Sequence, residues 1–317
     1  MHQPNETHEY EVAILGGGSA GLSAALTLAR ARRSVIVVDH GQPRNAPAAA
    51  AHGLLGNEGV DPLGLLEKGR AEASAYGATI AHAEVRSAAR LEEGGFAVEL
   101  DDGARVVAQQ LIIATGTRDE LPEIEGLAAR WGRDVVHCPY CHGWEIRDQR
   151  IVLTATGPMS AKQAMLFHQW SAHVTLVTNG LSFGSDDLEM LAALGIDVVT
   201  DTVSRVEVSG DRITGVVLAS GGRLGADALA VPSFARARLE GLEALGLDVT
   251  ENPMGVAVTT DEAGRTSVEG VWAAGNVANP ATQVSESAAQ AARVAMTLNT
   301  EMVFARANAA VAAGAAS

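Results

Sequence analysis

Glu11-Val-Ala-Ile-Leu15, running straight into Gly16-Gly17-Gly18-Ser19-Ala20-Gly21, decides the fold. The apolar run reads as a short buried strand. Leu22 to Arg32 has helical character, and Ser34-Val35-Ile36-Val37-Val38 is a second strand that ends at Asp39. Strand, glycine turn, helix and strand, with an acid 23 residues after the first glycine, make up the dinucleotide-binding unit. Gly16 makes the tight turn, Gly18 lets a pyrophosphate approach the backbone, and Gly21 lets helix and strand pack closely. Ser19 and Ala20 open the helix, whose N-terminus offers unpaired N–H groups and partial positive charge to phosphates. Asp39 is placed to accept hydrogen bonds from ribose hydroxyls. An ordinary glycine turn in a parallel sheet would not need strand, helix and acid together.

Working outward, residues 40–60 are loop-like, 62–76 helical, and 79–86, 95–100 and 104–108 short strands. Leu111 to Thr117 is another buried strand, and a crossover follows near 117–125. A second α/β unit starts at Ile151-Val152-Leu153-Thr154. It continues with a helix near 159–171, a strand at 174–177, a helix at 188–195, and strands near 197–200, 203–208, 213–218 and 227–231. The last block, from about 235, holds a strand at 270–274, a turn at Gly275-Asn276 and a helix near 284–302. The domains read as 1–118, 119–233 and 234–304, with a frayed Ala-rich tail at 305–317.

The 317 residues suffice for about two domains. With 47% hydrophobic and 19% charged residues the chain has material for a core. A net charge of −15 argues against nucleic acid or an anionic membrane as partner. No apolar run reaches membrane-spanning length, and no basic segment leads into an apolar one at the N-terminus, so the expected location is cytoplasmic. Two cysteines exclude a disulfide-stapled secreted fold.

Ala114-Thr115-Gly116 and Gly270-Val-Trp-Ala-Ala-Gly275-Asn276 point to FAD rather than NAD. In flavoproteins of this architecture the second turn holds the ribityl chain and pyrophosphate, usually through Asp. Asn276 stands there and can still hydrogen-bond. His137-Cys138-Pro139-Tyr140-Cys141-His142 supports three readings. Zinc has the right ligand types, but six consecutive residues cannot easily aim four ligands at one tetrahedral centre. An inert buried pair is the second. A redox-active dithiol/disulfide, with His142 handling protons, is the third and fits best. His137 is either a second base or a packed side chain, and Tyr140 and Trp144 suit groove lining or core packing equally.

GGGSAG at 16–21, ATG at 114–116, CPYC at 138–141 and GVWAAGN at 270–276, in that order, resemble the low-molecular-weight thioredoxin reductases of the pyridine nucleotide-disulfide oxidoreductases. The resemblance implies an α/β chain of two Rossmann-like domains. A discontinuous FAD domain would enclose an inserted CxxC-bearing domain, and the chain would pair as a homodimer. Carried over, Cys138 exchanges with substrate and Cys141 faces the flavin. Flavin contacts fall on Gly16, Gly18, Ser19, Ala20, Asp39, His40, Arg44, Asn45, His52, Val85, Thr115, Gly116, Gly275, Asn276, Gln283 and Val284.

Two departures redirect the function. His142 stands where those reductases typically carry Asp. The inserted domain's own turn reads Ala155-Thr156-Gly157-Pro158-Met159-Ser160 in place of GxGxxA, and Pro158 removes a backbone N–H near the helix start. Both resemble the dithiol oxidases of the holomycin and gliotoxin type. These close a disulfide in a small-molecule dithiol and pass the electrons through FAD to O2. The rivals are a disulfide reductase fed by NADPH or ferredoxin and a flavin-binding protein without turnover.

Overall fold

The computed structural model describes residues 7–315. The first segment holds β1 (Thr7–Leu15), α1 (Ser19–Arg30), β2 (Val35–Val38), α2 (Pro62–Ala75), β3 (Thr79–Ala81), β4 (Val85–Arg90), β5 (Phe96–Leu100) and β6 (Arg105–Ile113). Then come β7 (Thr117–Glu120), β8 (Val135–Val136), α3 (Pro139–His142), β9 (Ile151–Thr154), α4 (Ser160–Phe167), β10 (Val174–Val177) and α5 (Ser185–Ala193). Strands β11 (Asp197–Val199), β12 (Val203–Ser209), β13 (Arg212–Leu218), β14 (Arg223–Gly225) and β15 (Ala228–Ala230) follow. The chain closes with β16 (Phe234–Ala237), β17 (Val249–Asn252), β18 (Gly255–Val258), β19 (Val271–Ala273) and α6 (Val284–Ala315).

Two compact units result: 1–44, 63–118 and 235–317 form one, and 45–62 with 119–234 the other. The sequence assigns 45–62 to the first segment; by packing it belongs with the second unit, where Pro47 lies so close over Gly132 that a Cβ there would sit 2.7 Å from its ring.

In the first unit β3, β2, β1 and β6 pair in parallel, and β5 and β4 continue the sheet antiparallel. On the edge away from β1, strand β6 serves two neighbours: residues 105–108 pair with β5, and 111–113 with β19. Side chains alternate across β1. Val12 and Ile14 bury against Ala24, Ala25, Leu28, Ala291, Ala295 and Leu298 of α1 and α6, while Ala13 and Leu15 bury on the other face with Phe96, Val98 and Leu111. Both faces are covered, so β1 and β2 read as continuous apolar runs. The strands at 234–258 escape sequence reading because they are short and β17 is exposed throughout. The tail expected to fray continues α6 as helix to Ala315. Alanine is the best helix former, and nothing between Val284 and Ala313 breaks the run.

In the second unit a five-stranded parallel sheet runs β11-β10-β9-β15-β8, with an antiparallel β12-β13-β14 sheet beside it. Ile151 and Leu153 pack on Ala161, Ala164 and Phe167 of α4; Val152 faces Val206, Ile213 and Val216 of the antiparallel sheet. The helix expected over 159–171 spans only Ser160–Phe167. Among the described residues no helix is long and apolar enough to cross a membrane.

Candidate active site

The turn after β1 is shaped by what a Cβ would meet at each glycine. Gly16 has φ +110°, and a Cβ would lie 2.2 Å from the Ala114 carbonyl oxygen. At Gly21 it would lie 1.8 Å from the Gly16 carbonyl oxygen, and at Gly17 2.4 Å from the Asp39 carboxyl carbon. Gly18 alone faces open space, at the N-cap of α1. Helix packing, turn and acid therefore consume three glycines, and the fourth leaves a cradle at a helix N-terminus that a Cβ would fill. That shape fits a pyrophosphate. Asp39 is nearly buried, and its Oδ1 accepts N–H bonds from Gly17 (3.2 Å) and Gly41 (3.1 Å). Its Oδ2 lies 3.5 Å from Arg70, so the acid also braces the turn itself.

Several other expected flavin residues gather in the same unit. Gly275 lies against Ala20 so closely that a Cβ would come within 2.7 Å of the alanine methyl, and its N–H donates to Gln290 Oε1 at 2.9 Å. Asn276 Nδ2 donates toward the carbonyls of Asn279 (3.3 Å), Pro280 (3.2 Å) and Thr282 (2.8 Å), and toward Thr282 Oγ1 (3.1 Å). The carbonyl acceptors settle which end of the amide is nitrogen. They also explain why Asn replaces the usual Asp: a carboxylate has nothing to donate. The Arg44 guanidinium reaches the same Pro280 carbonyl at 3.3 Å. Gln283 and Val284 enter α6, where Ser287 N–H donates to the Gln283 carbonyl at 2.8 Å. Thr115 Oγ1 donates to the Arg238 carbonyl at 2.6 Å, and Gly116, at φ +70°, accepts the Arg238 N–H. His40 is half exposed, 3.9 Å from Glu84, and Val85 begins β4.

Asn45 and His52 fall in the other unit. There His52 Nδ1 lies 2.7 Å from Glu58 and Nε2 lies 3.4 Å from Glu145. The hydrogen bond from His52, with the Gly53 N–H at 2.8 Å, holds the Glu58 carboxyl below its ordinary range. A histidine in the chain's first loop thus joins the CxxC segment.

Cys138 caps α3, Pro139 supplies its first turn, and Cys141 and His142 N–H groups both turn back to the Cys138 carbonyl at 3.2 and 3.1 Å. Trp170 packs over Gly143, and Tyr140 meets it edge-on at 5.6 Å. Tyr140 and Trp144 remain 65% and 64% exposed, which removes them from the core. Arg147 stacks over Trp144 at 4.2 Å. His142 is mostly buried, and its Nδ1 is a buried atom with no hydrogen-bond partner among the described residues. Burial pushes the imidazole below its ordinary value of 6.5, Glu145 pulls the other way and His52 adds to the depression. The depression favours the neutral ring, the state a proton acceptor needs.

His137 is no loose side chain. Its Nδ1 accepts the Ser233 N–H at 3.1 Å, Ser233 Oγ donates to Asp119 Oδ1 at 2.5 Å, and Gln163 Nε2 donates to the His137 carbonyl. Sequence reading misses Asp119, Ser233, Gln163 and Glu145. The first two sit 114 residues apart, and no local pattern joins them; a carboxylate three residues after His142 was the one legible signal.

The inserted unit's nucleotide turn is closed from within. Ser160 Oγ, fully buried, accepts the N–H groups of Thr156 (3.1 Å) and Gly157 (3.3 Å). Thr156 Oγ1 donates to the Pro232 carbonyl at 2.6 Å, and Asn179 Nδ2 donates to the Ala155 carbonyl at 3.1 Å. Two backbone donors of this turn, at Thr156 and Gly157, are therefore already bonded.

Residues 10–297 match the family model for pyridine nucleotide-disulphide oxidoreductases. The solved structure of HlmI covers 98% of this chain and 98% of its own, at 42% identity and a TM-score of 0.91. Thioredoxin reductase tcpT of Claviceps purpurea is 32% identical over 276 residues, 83% of this chain and 85% of that one. A probable thioredoxin reductase of Arthroderma benhamiae is 38% identical over 148 residues, 45% of this chain and only 37% of that protein's length.

Proposed function

The chain belongs to the pyridine nucleotide-disulphide oxidoreductase family, and from that premise we propose that it is a dithiol oxidase, closing a disulfide in a small molecule at the expense of O2. The observation that carries the reading is the pairing of CPYCH with a nucleotide turn whose N–H groups are taken by Ser160. A cysteine pair suited to thiol exchange stands in a unit whose nucleotide turn has two of its donors already bonded. The likeness to HlmI and the CPYCHG resemblance to the holomycin and gliotoxin type support it.

Neutral His142 takes the proton of one substrate thiol. The thiolate attacks Cys138 Sγ in the Cys138–Cys141 disulfide; the new bond joins substrate to Cys138, and Cys141 departs as thiolate. His142 releases that proton to solvent and takes the proton of the second substrate thiol, whose sulfur attacks the first, and Cys138 departs as thiolate. One dithiol has lost two electrons and two protons, and the cysteine pair has gained the electrons. The glycine turn at 16–21, Asp39, Arg44, Thr115, Gly275, Asn276 and the start of α6 are the residues that would hold FAD. When bound, FAD supplies the route by which that electron pair reaches oxygen, which leaves as hydrogen peroxide. Tyr140 and Trp144 offer exposed aromatic surface next to the cysteines.

Oxygen uptake by the flavin-loaded protein with a small dithiol and no nicotinamide tests the reading. Uptake with one peroxide per dithiol is expected, and its loss in Cys138→Ser and Cys141→Ser. Uptake that demands NADPH, or none with any dithiol while a protein disulfide is reduced, would assign the chain to the reductases instead.

A further inference from the structure

Among the described residues the Arg70 guanidinium has one partner, and that partner is the acid placed for ribose: Nη1 lies 3.5 Å from Asp39 Oδ2. Helix α2 carries Leu66, Gly69 and Ala73 on one face, at spacings of three and four residues. Leu66 is nearly buried, and Ala73 lies fully buried in the cluster that holds Leu28, Ala29 and Val35. A Cβ at Gly69 would come within 3.1 Å of Leu22 Cδ1, so α2 lies close on α1. Just past the end of α2, Arg30 of α1 stacks over the Tyr76 ring at 5.2 Å. That docking carries Arg70, the residue after Gly69, to the acid at the end of β2.

The two oxygens of Asp39 are used differently. Oδ1 accepts two backbone N–H groups, from Gly17 and Gly41, which fills both its lone pairs. Oδ2 has Arg70 alone, at a separation longer than the roughly 2.8 Å of a direct charge-assisted bond. It therefore keeps room for a ligand's hydroxyl. The Asp39 side chain is 10% exposed and that of Arg70 25%. In the flavin-free protein water reaches the guanidinium and weakens the attraction. A nucleoside seated over Asp39 would expel that water, and the carboxylate would then depend on this one cation to offset its charge. Arg70 thus contributes more with the ligand bound than without it.

We propose that Arg70 is a positioning residue for FAD: acting through Asp39, it offsets the carboxylate's charge and fixes Oδ2 to accept a hydroxyl of the adenosine ribose. This rests on the assignment of the glycine turn to FAD and not on the dithiol reaction.

The test is a double-mutant cycle on FAD affinity, read by quenching of flavin fluorescence, with urea denaturation of each flavin-free protein beside it. Arg70→Gln should weaken FAD binding about tenfold, the scale of coupling between two groups in contact. The urea midpoint of flavin-free Arg70→Gln should stay near the wild type, because water replaces a partly exposed partner. In an Asp39→Asn background the same replacement should cost nothing further. Arg70→Lys, which keeps the charge, should recover most of the loss. Wild-type affinity in Arg70→Gln, or a loss that persists undiminished in Asp39→Asn, overturns the proposal. So does a loss matched by an equal fall in the stability of the flavin-free protein, which would make Arg70 a brace of the fold. Arg70→Gln against Arg70→Lys decides the matter even if Asp39→Asn fails to fold. The readout uses neither dithiol nor oxygen. Failure of oxygen uptake therefore overturns only the reaction, FAD bound alike by wild type and Arg70→Gln overturns only this role, and a wild type that binds no FAD overturns the cradle with it.

Discussion

Replacing Gly18 by alanine separates a glycine kept for the fold from one kept for the ligand. The backbone there has φ −74° and ψ −173°, extended geometry that alanine adopts without strain, and the added methyl meets nothing within 4 Å. The flavin-free variant should be as stable as the wild type or gain about 0.4–1 kcal/mol, because alanine restricts the unfolded chain. Among the described residues the methyl would meet nothing, so a dinucleotide seated on the turn is what would feel it. Forcing a methyl into a filled contact costs about 1–3 kcal/mol, so FAD should dissociate about 5- to 150-fold more readily. Gly21→Ala is the control: its methyl would lie 1.8 Å from the Gly16 carbonyl oxygen, and the flavin-free protein should lose about 3 kcal/mol. Urea denaturation of both flavin-free variants, with quenching of FAD fluorescence on titration, measures the two quantities. A Gly18→Ala protein destabilised like Gly21→Ala, or one binding FAD as the wild type does, would refute the assignment of this cradle.

Asn276→Asp should weaken rather than improve flavin retention. A carboxylate would face the Asn279, Pro280 and Thr282 carbonyls with no proton to give, at a cost of about 1–3 kcal/mol, read as a lower melting temperature. His142→Ala should slow reduction of the cysteine pair by dithiol about 10²–10⁴-fold in stopped flow. Burial depresses the His142 imidazole, so the acid limb of kcat/KM should lie below pH 6.5; Glu145→Gln removes the group that raises it and should move the limb lower still. Ala155→Gly combined with Ser160→Ala frees the Thr156 and Gly157 N–H groups. NADPH affinity should become measurable by calorimetry where the wild type shows none.

The glycine turn was legible because each requirement is local: a strand, a tight reversal, a helix start and an acid at fixed spacing. The second turn was legible as damaged for the same reason, through Ala155 and Pro158. What closes it was not, since nothing in the letter Ser160 says that its hydroxyl faces back into the turn. His52 was read with the flavin loop from its place in the chain; that residues 45–62 pack with the CxxC unit and set the ring against Glu145 was not legible there. The Asp119–Ser233–His137 line joins residues brought together only by the unit's entry and exit strands. Asn276 was read as a weakened Asp; its amide protons are the reason for it. The alanine tail was read as fraying from composition, although helix propensity favours the structure it adopts.

The central claim is that reducing equivalents enter through the cysteine pair and not from nicotinamide. The most direct measurement is anaerobic: one equivalent of small dithiol, then in a separate cell one equivalent of NADPH, added to flavin-loaded protein while the yellow flavin absorbance is followed. Bleaching by the dithiol, abolished by Cys138→Ser, with NADPH leaving the colour intact, is the predicted result. Rapid bleaching by NADPH with none by any dithiol would contradict the account.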